Sequence, residues 1–293
     1  MFNAIAIIAA FGGGVFGAMV GALPAFILTG VVAIACSISG NGDFQTFVAF
    51  GSFVGPHVAF AGGVAAAAYA KKIGLNENGA DIATSCNSYN NPSVLIVGGV
   101  FGIIGAIICS IVGAIFGPIL PGTDNPGMTV FISGCIARLA FGQRGLLSDA
   151  SVRKPLSQGG ALGNMLVLSI GLSLVVSCVY VLLAQAVGTD ALGLYHTAVF
   201  GLAAVSLVFA EMGQGMYGWH HIGIISAEAA MAGWAIGGAG VAIGLGIVMG
   251  LVAGILNDFE TCFMNSDVDS HIDGPAFAIF ISTIIISIIS AAA

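Results

Sequence analysis

Residues 94–120 read VLIVGGVFGIIGAIICSIVGAIFGPIL, without one charged side chain. About 20 apolar residues cross a hydrocarbon layer ~30 Å thick as a helix, so this run is long enough to span a membrane. Seven more apolar runs occur, of which the last two lie near the lower length limit: 4–39, 44–70, 161–187, 192–210, 229–256, 128–141 and 276–293. We predict an all-α fold, a polytopic transmembrane helical bundle of about eight membrane segments with broken or re-entrant helices, as one transmembrane domain over 1–293.

The composition excludes a soluble globular protein. Of the 293 residues 58 % are apolar and 6 % are charged, whereas a soluble domain carries roughly 25 % charged residues. The net charge of −7 argues against a nucleic-acid partner, which requires a basic face. The six cysteines lack the CxxC and CxxH spacings and are typical of buried apolar positions. We therefore predict no metal and no cofactor.

The basic residues predict which loops face the cytoplasm. All six lie between Lys71 and Lys154, and cytoplasmic loops are enriched in Lys and Arg. This pattern assigns the stretches 71–93 and 142–160 to the inside of a plasma or inner membrane. By alternation, 211–227 and both termini are also cytoplasmic, and the acidic connection 257–273 is an outer loop.

A three-residue motif recurs with constant spacing. An aspartate is followed after seven residues by phenylalanine and after nine by serine. The copies are Asp43, Phe50 and Ser52; Asp124, Phe131 and Ser133; Asp273, Phe280 and Ser282; and a degenerate copy at Asp190. Internal duplications are typical of transporters. We predict four tandem two-helix pseudo-repeats in one orientation, each turning outside at its aspartate; chance similarity among apolar segments is the alternative. Their bounds are 1–72, 86–145, 160–213 and 229–293.

The motif serines and aspartates are the first candidates for a solute pathway. At 1.5 Å per residue, each serine lies about 13 Å along the helix from its aspartate, near the middle of a ~30 Å layer. Such a hydroxyl either bonds to its own or a neighbouring helix or lines a pathway. A ring of the four aspartates at the outer entrance would concentrate cations.

Two prolines predict helix breaks, which free backbone groups for an ion or substrate. Pro24 interrupts the run 4–39, and Pro56 interrupts the next run beside His57. His57 either lines a pathway or makes a structural hydrogen bond. Arg138, equally far from its own motif aspartate, is expected to extend to the lipid headgroups.

Further histidines accompany acidic residues. His221 and Glu228 are seven positions apart and can share a helix face, but this spacing does not suit one metal ion. The region is interpreted either as a cytoplasmic loop or as a gate or re-entrant element. His196 and His271 are expected to be solvated at the outer surface.

Glycines at intervals of four form small helix faces, which are typical of close helix packing and also occur in narrow pores. They include Gly13, Gly17 and Gly21; Gly98 and Gly102; and Gly240, Gly244, Gly246, Gly250 and Gly254.

These features favour a membrane transport protein, a channel or secondary transporter for an ion or small polar solute, and not an enzyme. The alternative is a membrane-embedded subunit of a larger ion-translocating or energy-converting complex. An intramembrane enzyme is disfavoured because local spacing places no acid or nucleophile beside His57. The expected partners are the lipid bilayer, the solute and further copies of the chain in a homo-oligomer.

Overall fold

The computed structural model describes residues 3–153 and 161–293, and within these ranges the chain is helical without a strand. The all-α prediction is confirmed. The helices are α1 (Ala4–Val20), α2 (Ala22–Ser39), α3 (Gly42–Phe44), α4 (Ala59–Lys72), α5 (Pro92–Phe116), α6 (Asn125–Phe141), α7 (Ala161–Val187), α8 (Tyr195–Ser206), α9 (Val208–Glu211), α10 (His220–Met264) and α11 (Gly274–Ala292). A π-helical turn covers Gln45–Ala49, and 3₁₀ turns cover Cys86–Tyr89 and Thr189–Leu192. Lys154 and position 160, which entered the predictions above, lie outside the described residues, as do residues 1 and 2.

Six described segments are long and apolar enough to cross a membrane, which is compatible with an integral membrane protein. They are α2, α5, α7, the segment Thr189–Glu211, α10 and α11. About eight segments were predicted, and this number is not confirmed. Helices α1, α4 and α6 have 17, 14 and 17 residues and are therefore shorter than the other candidates.

Helix α10 is folded back on itself at Gly238, where φ is 73°, a conformation that glycine adopts readily. A Cβ on Gly233 would stand 2.8 Å from the backbone of Ala242, although a straight helix separates these two residues by about 13 Å. The hydroxyl of Tyr217 lies 3.2 Å from Nδ2 of Asn257 across the same fold. Helix α10 is thus a helical hairpin. Its first and second legs are residues 220–236 and 239–264.

Small residues set the distance between neighbouring helices. A Cβ on Gly14 of α1 would overlap the backbone oxygen of Gly98 in α5 and would stand 2.9 Å from the backbone of Gly102. In the second half of the chain, a Cβ on Gly250 in the second leg of α10 would overlap the hydroxyl of Ser173 in α7. The helices therefore approach closely at these points because side chains are short or missing.

Helices α6 and α11 run antiparallel, so the prediction that all motif copies share one orientation is wrong. Thr283 in α11 lies beside the start of α6, where its Oγ1 accepts a hydrogen bond from the N–H of Asp124 at 3.0 Å. The rings of Phe131 and Phe277 are 5.2 Å apart. Residues further along α6 therefore contact residues nearer the start of α11. Regular spacing predicts distance along a helix, but it does not encode the direction in which the helix runs.

The loop after α6 and the loop before α11 lie at the same end of the bundle. Arg144 and Asp267 form an ion pair of 3.2 Å between them. The prediction that 142–160 is inside and 257–273 is outside is therefore wrong, because the antiparallel pair brings the end of α6 beside the segment that precedes α11. Part of the presumed outer loop is also helical, since Glu260 belongs to α10 and is 1 % exposed.

Candidate functional site

A cavity of about 230 Å³ lies where four helices begin. We call it the central cavity. Its lining includes Phe60 in the first turn of α4, Asp124 before α6, His220 at the start of α10 and Asp273 before α11. The first turn of a helix has backbone N–H groups without partners within the helix, and it carries a partial positive charge. The cavity is therefore bordered by polar helix ends as well as by side chains.

These helix starts lie inside the bundle. Thr283, which contacts the start of α6, stands ten positions after Asp273, so α6 and α11 overlap only along their first halves. At 1.5 Å per residue the pair extends over about 40 Å, which is close to the ~40–45 Å of a bilayer with its headgroups. The break before α4 is equally deep, because the carbonyl of His57 lies against Gly105, near the middle of the 25-residue α5.

The two aspartates that cap α6 and α11 have different surroundings. Oδ1 of Asp124 accepts a hydrogen bond from the N–H of Gly127, and Oδ2 of Asp273 accepts one from the N–H of Ala276 at 2.8 Å. Oδ1 of Asp273 also contacts Nε2 of His271 at 3.2 Å. Oδ2 of Asp124 has no hydrogen-bond partner within residues 3–153 and 161–293. One carboxylate beside the cavity is thus fully paired, and the other keeps a free oxygen.

A connected group of aromatic rings forms much of the cavity wall, and we call it the aromatic wall: Phe26, Phe50, Phe60 and Phe200. The ring of Phe26 lies 5.8 Å from that of Phe60 and 5.3 Å from that of Phe200, both edge to face. Phe50 lies 5.4 Å from Phe200, and the His220 ring lies 4.7 Å from Phe26. Interlocked rings of this kind hold one another in fixed orientations.

A second cavity, of about 260 Å³, shares Phe50, Asp124, Pro126 and Ile224 with the central cavity. Its other lining residues form what we call the polar vestibule: Gln45, Thr46, His196, Thr197 and Glu228. Thr46 also borders a surface depression that contains Asp43. The second cavity thus shares Thr46 with the surface depression and Asp124 with the central cavity.

The loop between α4 and α5 covers another part of the central cavity. Ile82 lines the cavity, and its carbonyl accepts a hydrogen bond from the N–H of Leu23 at 2.8 Å. Asp81 accepts hydrogen bonds from the N–H groups of Ala83 and Thr84 at 2.9 and 3.1 Å. Partial burial raises the pKa of Asp81, but the hydrogen bonds from Thr84 and Ala83 outweigh this effect and hold the pKa below its ordinary value.

The sequence matches the model of a family of unknown function, DUF7973, over residues 1–151 and 167–293. The chain belongs to this family. Both cavity aspartates and all four rings of the aromatic wall fall within the matched ranges. No curated protein and no solved structure matches the chain. The chemistry of this DUF7973 chain must therefore be argued from its own residues.

The motif residues are distributed unevenly. Asp124 and Asp273 line the central cavity, whereas Asp43 and Asp190 are exposed. The hydroxyls of Ser133 and Ser282 are buried and have no hydrogen-bond partner within the described ranges. Ser52 is half-buried in the irregular stretch before α4. The central cavity thus brings together the aspartates of two motif copies, whereas the motif serines are not among its described lining residues.

The prolines stand at two different kinds of break. Pro24 lies in the first turn of α2, which begins after Gly21 with a φ of 102°. Pro56 lies in the turns that precede α4 and lines the central cavity.

The structure describes the surroundings of the four histidines considered in the sequence. His221 is fully buried at the start of α10 and therefore does not lie in a loop, and neither ring nitrogen has a partner among the described residues. His57 is 6 % exposed, and its Nδ1 is similarly unpaired. His196 lines the polar vestibule and His271 pairs with Asp273, so neither is a solvated surface residue. The described residues contain no group of three His, Cys, Asp or Glu side chains that could hold a metal ion.

Arg138 does not extend to lipid headgroups, and this expectation is wrong. Its side chain is fully buried. The guanidinium donates to the hydroxyl and the carbonyl of Ser270 at 2.9 and 2.6 Å, to Oδ1 of Asn265 at 3.1 Å, and to the carbonyls of Met264 and Leu146. The antiparallel arrangement brings these acceptors to the end of α6. Arg138 therefore fixes the loop that leads to Asp273.

The aromatic wall was not predicted from the sequence of this DUF7973 chain. Its four phenylalanines are among 19 that are spread over the apolar runs, where phenylalanine is ordinary. The one available signal is position, because Phe50 and Phe60 flank the predicted break at Pro56.

Proposed function

We propose that this DUF7973 protein is an integral membrane transport protein that moves an ion or small polar solute through the central cavity. The observation that carries the proposal is the meeting of four helix starts deep in an apolar bundle, next to the free oxygen of Asp124. Transporters place their substrate sites near the middle of the bilayer, where interrupted helices offer backbone groups and helix dipoles. The polar vestibule supplies a route to this position.

We further infer that the chain works as a carrier built from two inverted halves, one from α1 to α6 and the other from α7 to α11. Besides α6 and α11, helices α2 and α8 are antiparallel: Gly30 packs against Gly201, and Ser37 contacts Thr197 at 3.1 Å. Each half also contains a tight small-residue contact, α1 with α5 and α7 with the second leg of α10. Inverted halves around a shared site support alternating access, in which one half rocks against the other.

Transport is tested with the purified protein in proteoliposomes. Uptake of radiolabelled sodium, choline, alanine and glucose is measured for the unaltered chain, for Asp124→Asn and for the matched control Asp190→Asn, whose carboxylate is exposed. Uptake of one solute above that of empty liposomes, lost in Asp124→Asn and kept in Asp190→Asn, supports the proposal. Uptake indistinguishable from empty liposomes for all four solutes overturns it.

A membrane-embedded subunit of a larger complex is the second candidate. Gly240 and Gly244 on the second leg of α10 are exposed, and apart from their chain neighbours and the nearby backbone of α10 no atom of the described chain comes within 4 Å of a Cβ built on either. Small faces of this kind are typical helix-packing sites. Native mass spectrometry separates the candidates, because a second polypeptide at fixed stoichiometry supports the subunit, and a homo-oligomer or monomer supports the carrier.

A further inference from the structure

The partial positive charges at the starts of α6 and α11 are each met by a capping carboxylate. The charged side chains beside the central cavity are acidic. Asp124 and Asp273 line it, and no Lys or Arg is among the described residues that line it. The carboxylate of Asp273 is already paired with His271 and with the start of α11. Oδ2 of Asp124 has no hydrogen-bond partner among the described residues, so Asp124 is the group that can bind a positive charge on a solute.

The aromatic wall adds a second element of recognition. Phe26, Phe50, Phe60 and Phe200 surround the same space as Asp124. The faces of aromatic rings attract cations, and the attraction is stronger where water is excluded. Their edge-to-face and tilted packing holds the rings at different angles, so a compact solute can contact more than one of them. An acid facing an aromatic wall is suited to a cation that also carries apolar surface.

A bare metal cation fits this lining poorly. Calcium and magnesium prefer six or more oxygen ligands, whereas most residues around the cavity are apolar, and the described residues contain no cluster of three metal-binding side chains. The volume of about 230 Å³ corresponds to about eight water molecules at ~30 Å³ each. A solute with several non-hydrogen atoms therefore fits, but a drug-sized one does not.

We propose that the central cavity binds a small alkylammonium cation, with its charge next to Asp124 and its alkyl groups against the aromatic wall. The proposal rests on the proposed transport function for its biological meaning, but binding can be tested without transport. The polar vestibule, to which Glu228 belongs, then forms a polar approach to the site with one acidic side chain.

The test is isothermal titration calorimetry on the purified chain with choline and with 3,3-dimethylbutan-1-ol, its neutral isostere. We expect saturable choline binding that is at least tenfold tighter than binding of the isostere. Asp124→Asn should weaken choline binding at least tenfold, since asparagine retains the cap of α6 but carries no charge. Phe200→Leu keeps an apolar wall without the aromatic face and should weaken it severalfold. The control Asp190→Asn should bind as the unaltered chain does.

Equal affinity for choline and the isostere would contradict the proposal, because it indicates apolar burial alone. Unchanged choline binding by both Asp124→Asn and Phe200→Leu would also contradict it, and so would saturable sodium binding without choline binding. Melting temperatures of each variant identify any loss of folding, and Phe200→Leu keeps the test decisive if Asp124→Asn fails to fold.

Choline binding without uptake of any solute overturns the proposed transport function and leaves the proposed binding site standing. Uptake of another solute without choline binding overturns the alkylammonium proposal alone.

Discussion

Helices α6 and α11 begin with the same Asp-x-Pro pattern, yet the aspartates that cap them make different contacts. Asp124 caps α6 with one oxygen and leaves the other free at the cavity, whereas both oxygens of Asp273 are paired. The sequence motif therefore accounts for the helix start in both places. The neighbours decide whether the aspartate can also bind a solute.

The difference begins in the segments that precede the two helices. Four hydrogen bonds from Arg138 hold residues 264–270, which precede α11, and a fifth goes to the carbonyl of Leu146 after α6. Nδ2 of Asn265 donates to both oxygens of Glu260 at 3.1 and 2.8 Å. No arginine among the described residues donates to the segment before α6; there Ser287 donates to the carbonyl of Pro121 at 2.9 Å. A rigidly held start at Asp273 thus faces a less constrained start at Asp124.

The largest expected effect tests this anchoring. Arg138→Met removes five hydrogen bonds and leaves buried carbonyls without a donor, so we expect the free energy of unfolding to fall by at least about 3 kcal/mol. Arg144→Met is the matched control, since its ion pair with Asp267 is largely exposed and should contribute at most about 1 kcal/mol. Thermal melting in detergent measures both variants. Similar melting temperatures would show that Arg138 does not anchor the loop.

A smaller difference is expected between the two caps. Asp273→Ala removes a cap and the contact with His271, and should cost about 2 kcal/mol, whereas Asp124→Ala removes a cap alone and should cost about 1 kcal/mol. Solute uptake should show the opposite order, with the greater loss in Asp124→Ala. Melting curves and uptake measured on the same preparations check both orders. A greater loss of stability in Asp124→Ala would contradict the described pairing.

The smallest effects concern adjacent hydroxyls in α11. Thr283→Val removes the acceptor for the N–H of Asp124 and should cost about 1 kcal/mol. Ser282→Ala removes a hydroxyl without a partner among the described residues and should change stability by less than about 0.5 kcal/mol. Ser282→Ala should also leave uptake unchanged, because Ser282 does not line the central cavity. Loss of uptake at normal stability would instead restore the serine to the pathway.

Much of the fold follows from the sequence, because long apolar runs without charge have few alternatives to membrane helices. The break at Pro56 follows from proline chemistry. The turn at Gly238 does not follow from the sequence, because Gly238 is one of 45 glycines distributed through the chain and nothing in the local sequence distinguishes it. The direction of α11 relative to α6 does not follow either, because it depends on contacts such as Phe131 with Phe277, which local spacing does not encode.

The candidate site was predictable only in part. Asp124 and Asp273 were singled out because each begins a copy of the Asp–Phe–Ser motif, and both line the cavity. Arg138 was misjudged, because its burial depends on acceptors such as Met264 that are more than one hundred residues away. Aromatic residues in an apolar chain give no comparable signal, so the wall could be recognised only in three dimensions.

Cysteine cross-linking across α6 and α11 tests most directly whether the two helix starts point in opposite directions around one cavity. In a background without native cysteines, Pro121→Cys paired with Ser287→Cys should form a disulfide under mild oxidation, because Ser287 contacts the carbonyl of Pro121. The pair Ala137→Cys with Ile286→Cys, which stands in matching positions of the two motif copies, should not. Efficient cross-linking of the second pair and none of the first would contradict the antiparallel arrangement and the shared cavity built on it.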